Sequence, residues 1–110
     1  MDTEAIREYA LAKIGVDEGF PFGEDTLVFK VNGKIFLLLA LDESPLRFNV
    51  KCEPAEALEL REAYPENILP GYHMNKKHWN TIVVDGRIKK NLLQKMIDDS
   101  YSLVADNKKK

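Results

Sequence analysis

Residues 26–41 read TLVFKVNGKIFLLLAL, and this stretch decides the fold. TLVFKV alternates, placing Leu27, Phe29 and Val31 on one side. Asn32-Gly33 follows, a pair whose tolerance of positive φ makes it the strongest short hairpin signal. KIFLLLAL is apolar at successive positions, as expected of a central strand covered, or nearly covered, on both faces. DESP (42–45) makes a turn, and LRFNVKC (46–52) alternates again. There Leu46, Phe48, Val50 and Cys52 point in, with Arg47, Asn49 and Lys51 out. Three strands joined by short turns imply an antiparallel meander.

Working outward, a helix is expected over about 3–14. Asp2 or Thr3 caps it, Glu4 suits the positive end of its dipole and Gly15 stops it. Ile6, Tyr9, Ala10 and Ile14 share its inner face. GFPFGED (19–25) reads as a loop that tucks apolar rings onto the core. A second helix starts at Pro54, a residue suited to the first helical position, and ends before Pro65. Its inner face carries Ala57, Leu60 and Tyr64. HWNTIVVD (78–85) is a fourth strand. The last helix spans about 89–104, where Leu93, Met96, Ile97, Ser100, Tyr101 and Val104 keep helical spacing. The order α-β-β-β-α-β-α gives a two-layer α+β domain with helices on one face of the sheet.

A chain of 110 residues suits one domain, with the basic end 105–110 as a frayed tail. Composition is ordinary for a globular protein, with 45% hydrophobic and 31% charged residues. The longest apolar run, seven residues at 35–41, is far short of the roughly 20 that span a membrane. The acidic start is unlike a signal peptide, and a lone Cys52 forms no intrachain disulfide. A cytoplasmic home without membrane contact follows as an expectation, with a monomer as the default.

Charge is unevenly spread. Residues 1–70 carry a net −7, whereas 71–90 carry +4 from Lys76, Lys77, Arg87, Lys89 and Lys90 against Asp85. The segment GYHMNKKHWNTI (71–82) holds both histidines and the only tryptophan. Such a zone can contact an anion, or it can be a plain solvated loop. In a nucleic-acid reading the lysines meet phosphates, Asn75 and Asn80 meet bases or backbone, and Tyr72 and Trp79 stack. In a structural reading Trp79 anchors a strand, the asparagines cap turns and His73 bonds loop backbone. No zinc finger, helix-turn-helix or leucine-zipper pattern is present, and the acidic remainder repels DNA. Binding is therefore expected to be weak and salt-dependent.

Two histidines five residues apart, without a cysteine pair, fall short of a zinc ligand set, so no metal and no cofactor is expected. Asp2, Glu4 and Glu8 read as a solvated helix face. No P-loop, GxGxxG or nucleophile elbow is present, and Cys52 reads as core, so no catalytic residue is assigned. His73 or His78 remains a third-choice catalytic base.

The hairpin in PFGEDTLVFKVNGKIF, the junction VKCEPAEALELREAYP, the stretch PGYHMNKKHWNTI and the helix LLQKMIDDSYSLV together resemble the MmcQ/YjbR family. The resemblance runs from the first helix to about Val104 and implies a small α+β fold of the frataxin (CyaY-like) kind. Members of that family are commonly labelled DNA-binding, an analogy made at the level of fold. The resemblance supplies no catalytic residue. The reading is thus a DNA-binding or regulatory module contacting its partner through Tyr72, His73, Asn75, Lys76, Lys77, His78, Asn80, Arg87, Lys89 and Lys90. The alternative is a protein- or small-ligand-binding domain with a pocket beside the same loop.

Overall fold

A computed structural model of the chain describes residues 1–71 and 74–105. The described elements are α1 (Thr3–Leu11), β1 (Val16–Gly19), β2 (Thr26–Val31), β3 (Lys34–Ala40), β4 (Leu46–Lys51), α2 (Pro54–Ala63), β5 (Ile68–Pro70), β6 (Trp79–Val84) and α3 (Lys90–Ala105). The six strands form one antiparallel sheet in the order β1-β2-β3-β4-β6-β5. The expected α+β architecture is observed, with two short edge strands added to the four read from the sequence.

Hydrophobic alternation assigns the two faces. Leu27, Phe29, Leu37, Leu39, Phe48, Val50 and Ile82 lie in cross-strand register on one face, where they merge with Ile6, Ala10, Leu93, Met96 and Ile97 of the helices into one core. Leu60 and Tyr64 of α2 pack against the same cluster. All three helices therefore cover one face.

A bulge interrupts this pattern. Phe29 pairs with Leu37 but Lys30 pairs with Ile35, so Phe36 has no cross-strand partner. Phe36 nevertheless turns into the core, its ring edge-on to Tyr101 at 5.4 Å. Ser100 of α3 satisfies the backbone exposed there. Its hydroxyl donates to Phe36 O and accepts from the Lys51 N–H at 2.8 Å.

The first helix ends earlier than its spacing suggests. Asp2 caps it by accepting from the Ala5 N–H at 2.8 Å. The chain leaves the helix at Ala12, and Gly15, at φ 77°, reverses it so that β1 can pair with β2. Ile14, expected on the inner face, is 87% exposed as a result.

Candidate functional site: a cavity on the open sheet face

Among the described residues, no helix covers the second sheet face. Register alone specifies what it presents. One cross-strand row runs Thr26, Ala40, Arg47, Val83, and the next runs Val28, Leu38, Asn49, Thr81, Leu69. Ala40 is small between Thr26 and Arg47, so the surface dips there. Phe22 from the loop before β2 rises on one side, and Leu69, Pro70 and Met74 rise on the other. Together they enclose a cavity of about 570 Å³, with Asp42 and Glu43 of the β3–β4 turn at its rim. Leu38, only 8% exposed, forms its apolar floor.

Polar side chains also line this cavity, Arg47, Asn49 and Thr81 among them. The Thr81 hydroxyl donates to Asn49 Oδ1. The Arg47 Nε is shielded from solvent and has no hydrogen-bond partner among the described residues. Glu43 Oε1 lies 3.8 Å from it, beyond the reach of an N–H···O bond. A guanidinium N–H held out of water without an acceptor is costly, and the rest of the half-exposed Arg47 side chain can meet a ligand.

The residues assigned to a contact surface from the sequence do not come together. Tyr72 and His73 lie outside the described residues. Asn75, Lys76, Lys77 and His78 form a turn before β6, whereas Arg87, Lys89 and Lys90 follow its far end. Six extended residues separate the two groups by about 20 Å. Arg87 is engaged by Glu66, with Asp85 3.6 Å away. Asn75 Oδ1 accepts from the Lys77 N–H at 3.0 Å, the turn-capping role open to asparagine.

Asn80 corrects its expected role as a contact. It is 1% exposed, on the helix face, and its Oδ1 accepts from Arg61 Nε at 2.8 Å. It is therefore closed to any base or phosphate. Arg61 also reaches Lys76 O and, at 3.2 Å, Trp79 O, so one α2 side chain holds the whole turn. Trp79 is anchored through its backbone, whose carbonyl also receives the Gly71 N–H at 2.9 Å. Its ring is half-buried on the open face and stands outside the core cluster. Alternation in HWNTIVVD shows which residues face outward, but not that an arginine from another element would claim Asn80.

The single cysteine is committed to structure. Cys52 is buried, and burial first, then the carboxylates of Glu56 and Asp99, push its thiol up to about 11. The folded value lies above that of an unfolded thiol. This contribution to stability is therefore complete below the unfolded thiol's range and is lost as pH rises toward 11. Cys52 is expected to resist a disulfide reagent at pH 8 and to react at once in denaturant. Equal rates in both states would show that the thiol is open to solvent. Among the described residues, no three His, Cys, Asp or Glu side chains converge where they could hold a metal ion. No helix of the described residues is long and apolar enough to cross a membrane.

Arg47, Asn49 and Thr81 were not singled out as site residues by the sequence. The available signal was an outward polar set on β4 facing an outward leucine on β3. Comparison with known proteins supplies the family. The chain is similar to the protein YbdF of Escherichia coli O157:H7, 39% identical over 96% of this chain and 89% of that one. It is 25% identical to YjbR of Escherichia coli K12 over 100% of this chain and 96% of that one. A Deinococcus radiodurans protein with a DUF419 domain has a crystal structure that superposes with a TM-score of 0.91 at 38% identity, over 96% of this chain and 79% of that one. The YjbR family model matches residues 11–103, and on that match the chain belongs to the YjbR family.

Proposed function

We propose that this chain is a non-enzymatic module that binds a small ligand in the cavity of its open sheet face. The observation that carries this reading is a cavity of about 570 Å³ with the half-exposed cation Arg47 in its lining. That volume is within the roughly 300–1,000 Å³ of small-molecule sites, and an apolar lining with few polar groups is their usual chemistry. The buried thiol of Cys52 and the doubly bonded hydroxyl of Ser100 support a binding role over a catalytic one.

Amide chemical shifts under a fragment library of small acids, bases and neutral heterocycles test this reading. Hits are expected to move residues 38–40, 47–49, 69 and 81. Ala40→Leu is expected to remove those responses while the protein stays folded, because the added carbons fill the dip. An absence of hits, or hits indifferent to Ala40→Leu, would refute the reading.

Duplex DNA is the second reading, supported by the exposed Lys76 and Lys77 beside the half-buried His78 and Trp79. The footprint would be small, because the other basic group lies at the far end of β6. Each phosphate contact contributes about 0.9 to the log–log salt slope, so replacing both lysines by alanine is expected to lower it by about 1.8. Anisotropy of a labelled duplex across a salt series measures this, and an unchanged slope would exclude that end of the sheet.

A further inference from the structure

We infer that the cavity takes a small zwitterion, a free α-amino acid with an apolar side chain, whose carboxylate meets Arg47 and whose ammonium meets the Asp42–Glu43 rim. The inference rests on the ligand-binding reading above and specifies its chemistry. Arg47 and Glu43 are both half-exposed, and Glu43 Oε1 stands 3.8 Å from the Arg47 Nε. The exposed parts of both side chains can therefore meet a ligand although the Arg47 Nε itself is shielded. Together they hold opposite charges about as far apart as a ligand needs when carboxylate and ammonium share one carbon. Guanidinium groups pair best with planar carboxylates, through two parallel N–H···O bonds. The Thr81 hydroxyl occupies Asn49 Oδ1, which leaves the Asn49 amide nitrogen as a second donor at the same place.

Charge balance narrows the ligand further. Among the described residues the lining holds one cation, Arg47, against two carboxylates, Asp42 and Glu43. A dianion such as a phosphate monoester would be repelled. A simple carboxylate would gain Arg47 but face both acids. An ammonium on the ligand removes that conflict. Most of the remaining wall is apolar, from Leu38, Leu69, Pro70, Met74 and Phe22. Phe22 is 65% exposed, an aromatic ring left at the mouth where an apolar arm would cover it.

Amide and arginine Nε–H shifts of the full chain are to be followed under three probes. These are L-phenylalanine, hydrocinnamate (no ammonium) and phenethylamine (no carboxylate). Phenylalanine is expected to shift residues 47–49, residue 81 and the Arg47 Nε–H to saturation. Each singly charged analogue is expected to bind at least about tenfold more weakly, a difference of about 1.4 kcal/mol. Arg47→Ala and Glu43→Gln are each expected to weaken phenylalanine by at least about tenfold, with the melting temperature kept. Glu43→Gln is expected to leave hydrocinnamate as tight as before or tighter, an outcome that generic loss of structure would not give. Equal binding of hydrocinnamate and phenylalanine would overturn the zwitterion and define a carboxylate site. Equal binding of phenethylamine would define a cation site. Silence from all three probes would also overturn it. If library fragments still fill the cavity in that case, the ligand-binding reading stands, and if none does, both fall.

Discussion

Phe48→Ala is expected to lower the stability of this protein by about 3–5 kcal/mol, the usual cost of removing a buried aromatic ring. Phe48 lies in the middle of β4, between Leu39 and Ile82, and is 0% exposed. Two neighbouring strands and the α3 layer converge around it, so the lost volume is not refilled by a small shift of one side chain. For a domain of this size the melting temperature should fall by roughly 12–30 °C. Folded domains are stable by only about 5–15 kcal/mol, so much of the margin would go. Its neighbours Arg47 and Asn49 point to the opposite face, and Arg47→Ala, which also removes an N–H held out of water without an acceptor, should leave the protein at least as stable as the parent. Urea unfolding of the two variants tests this division. A Phe48→Ala variant as stable as Arg47→Ala would show that the two faces have been assigned wrongly.

Ser100→Ala is the second large effect, expected to cost about 2–4 kcal/mol although it removes a single oxygen. The hydroxyl is fully buried and serves two backbone groups, donating to Phe36 O and accepting from the Lys51 N–H. Both groups lie where β3 and β4 part beside the bulge, beyond the last paired residues, Leu37 and Val50. Each polar group left buried without a partner costs about 1–3 kcal/mol. Hydrogen exchange offers a local readout. The Lys51 amide should exchange slowly in the parent and much faster in Ser100→Ala, relative to its neighbours in the sheet. Unchanged exchange at Lys51, with an unchanged urea midpoint, would mean that other groups satisfy this backbone.

Both effects depend on which face of the sheet a residue occupies, and that much was legible in the sequence. Asn32-Gly33 set the hairpin, alternation in LRFNVK placed Phe48 inward and Arg47 outward, and the spacing of Leu93, Met96, Ile97 and Ser100 placed α3 on the core. These signals are local: a turn residue and a side-chain period act within a few residues of chain. The edge strands β1 and β5 were not legible, because VDEG and ILP have little strand character of their own and pair only because β2 and β6 offer them partners. The basic segment 71–90 looked like one surface because its residues are adjacent in sequence, yet the extended β6 carries its two halves about 20 Å apart. Asn80 looked like a surface amide until Arg61, nineteen positions earlier, closed over it. The cavity was least legible of all. Its parts come from the loop before β2, four central strands and the short edge strand β5, and only cross-strand register sets Ala40 beside Arg47 and Leu38 beside Asn49. Side-chain period tells a residue which way to face, but its neighbours on that face are chosen by pairing between distant parts of the chain.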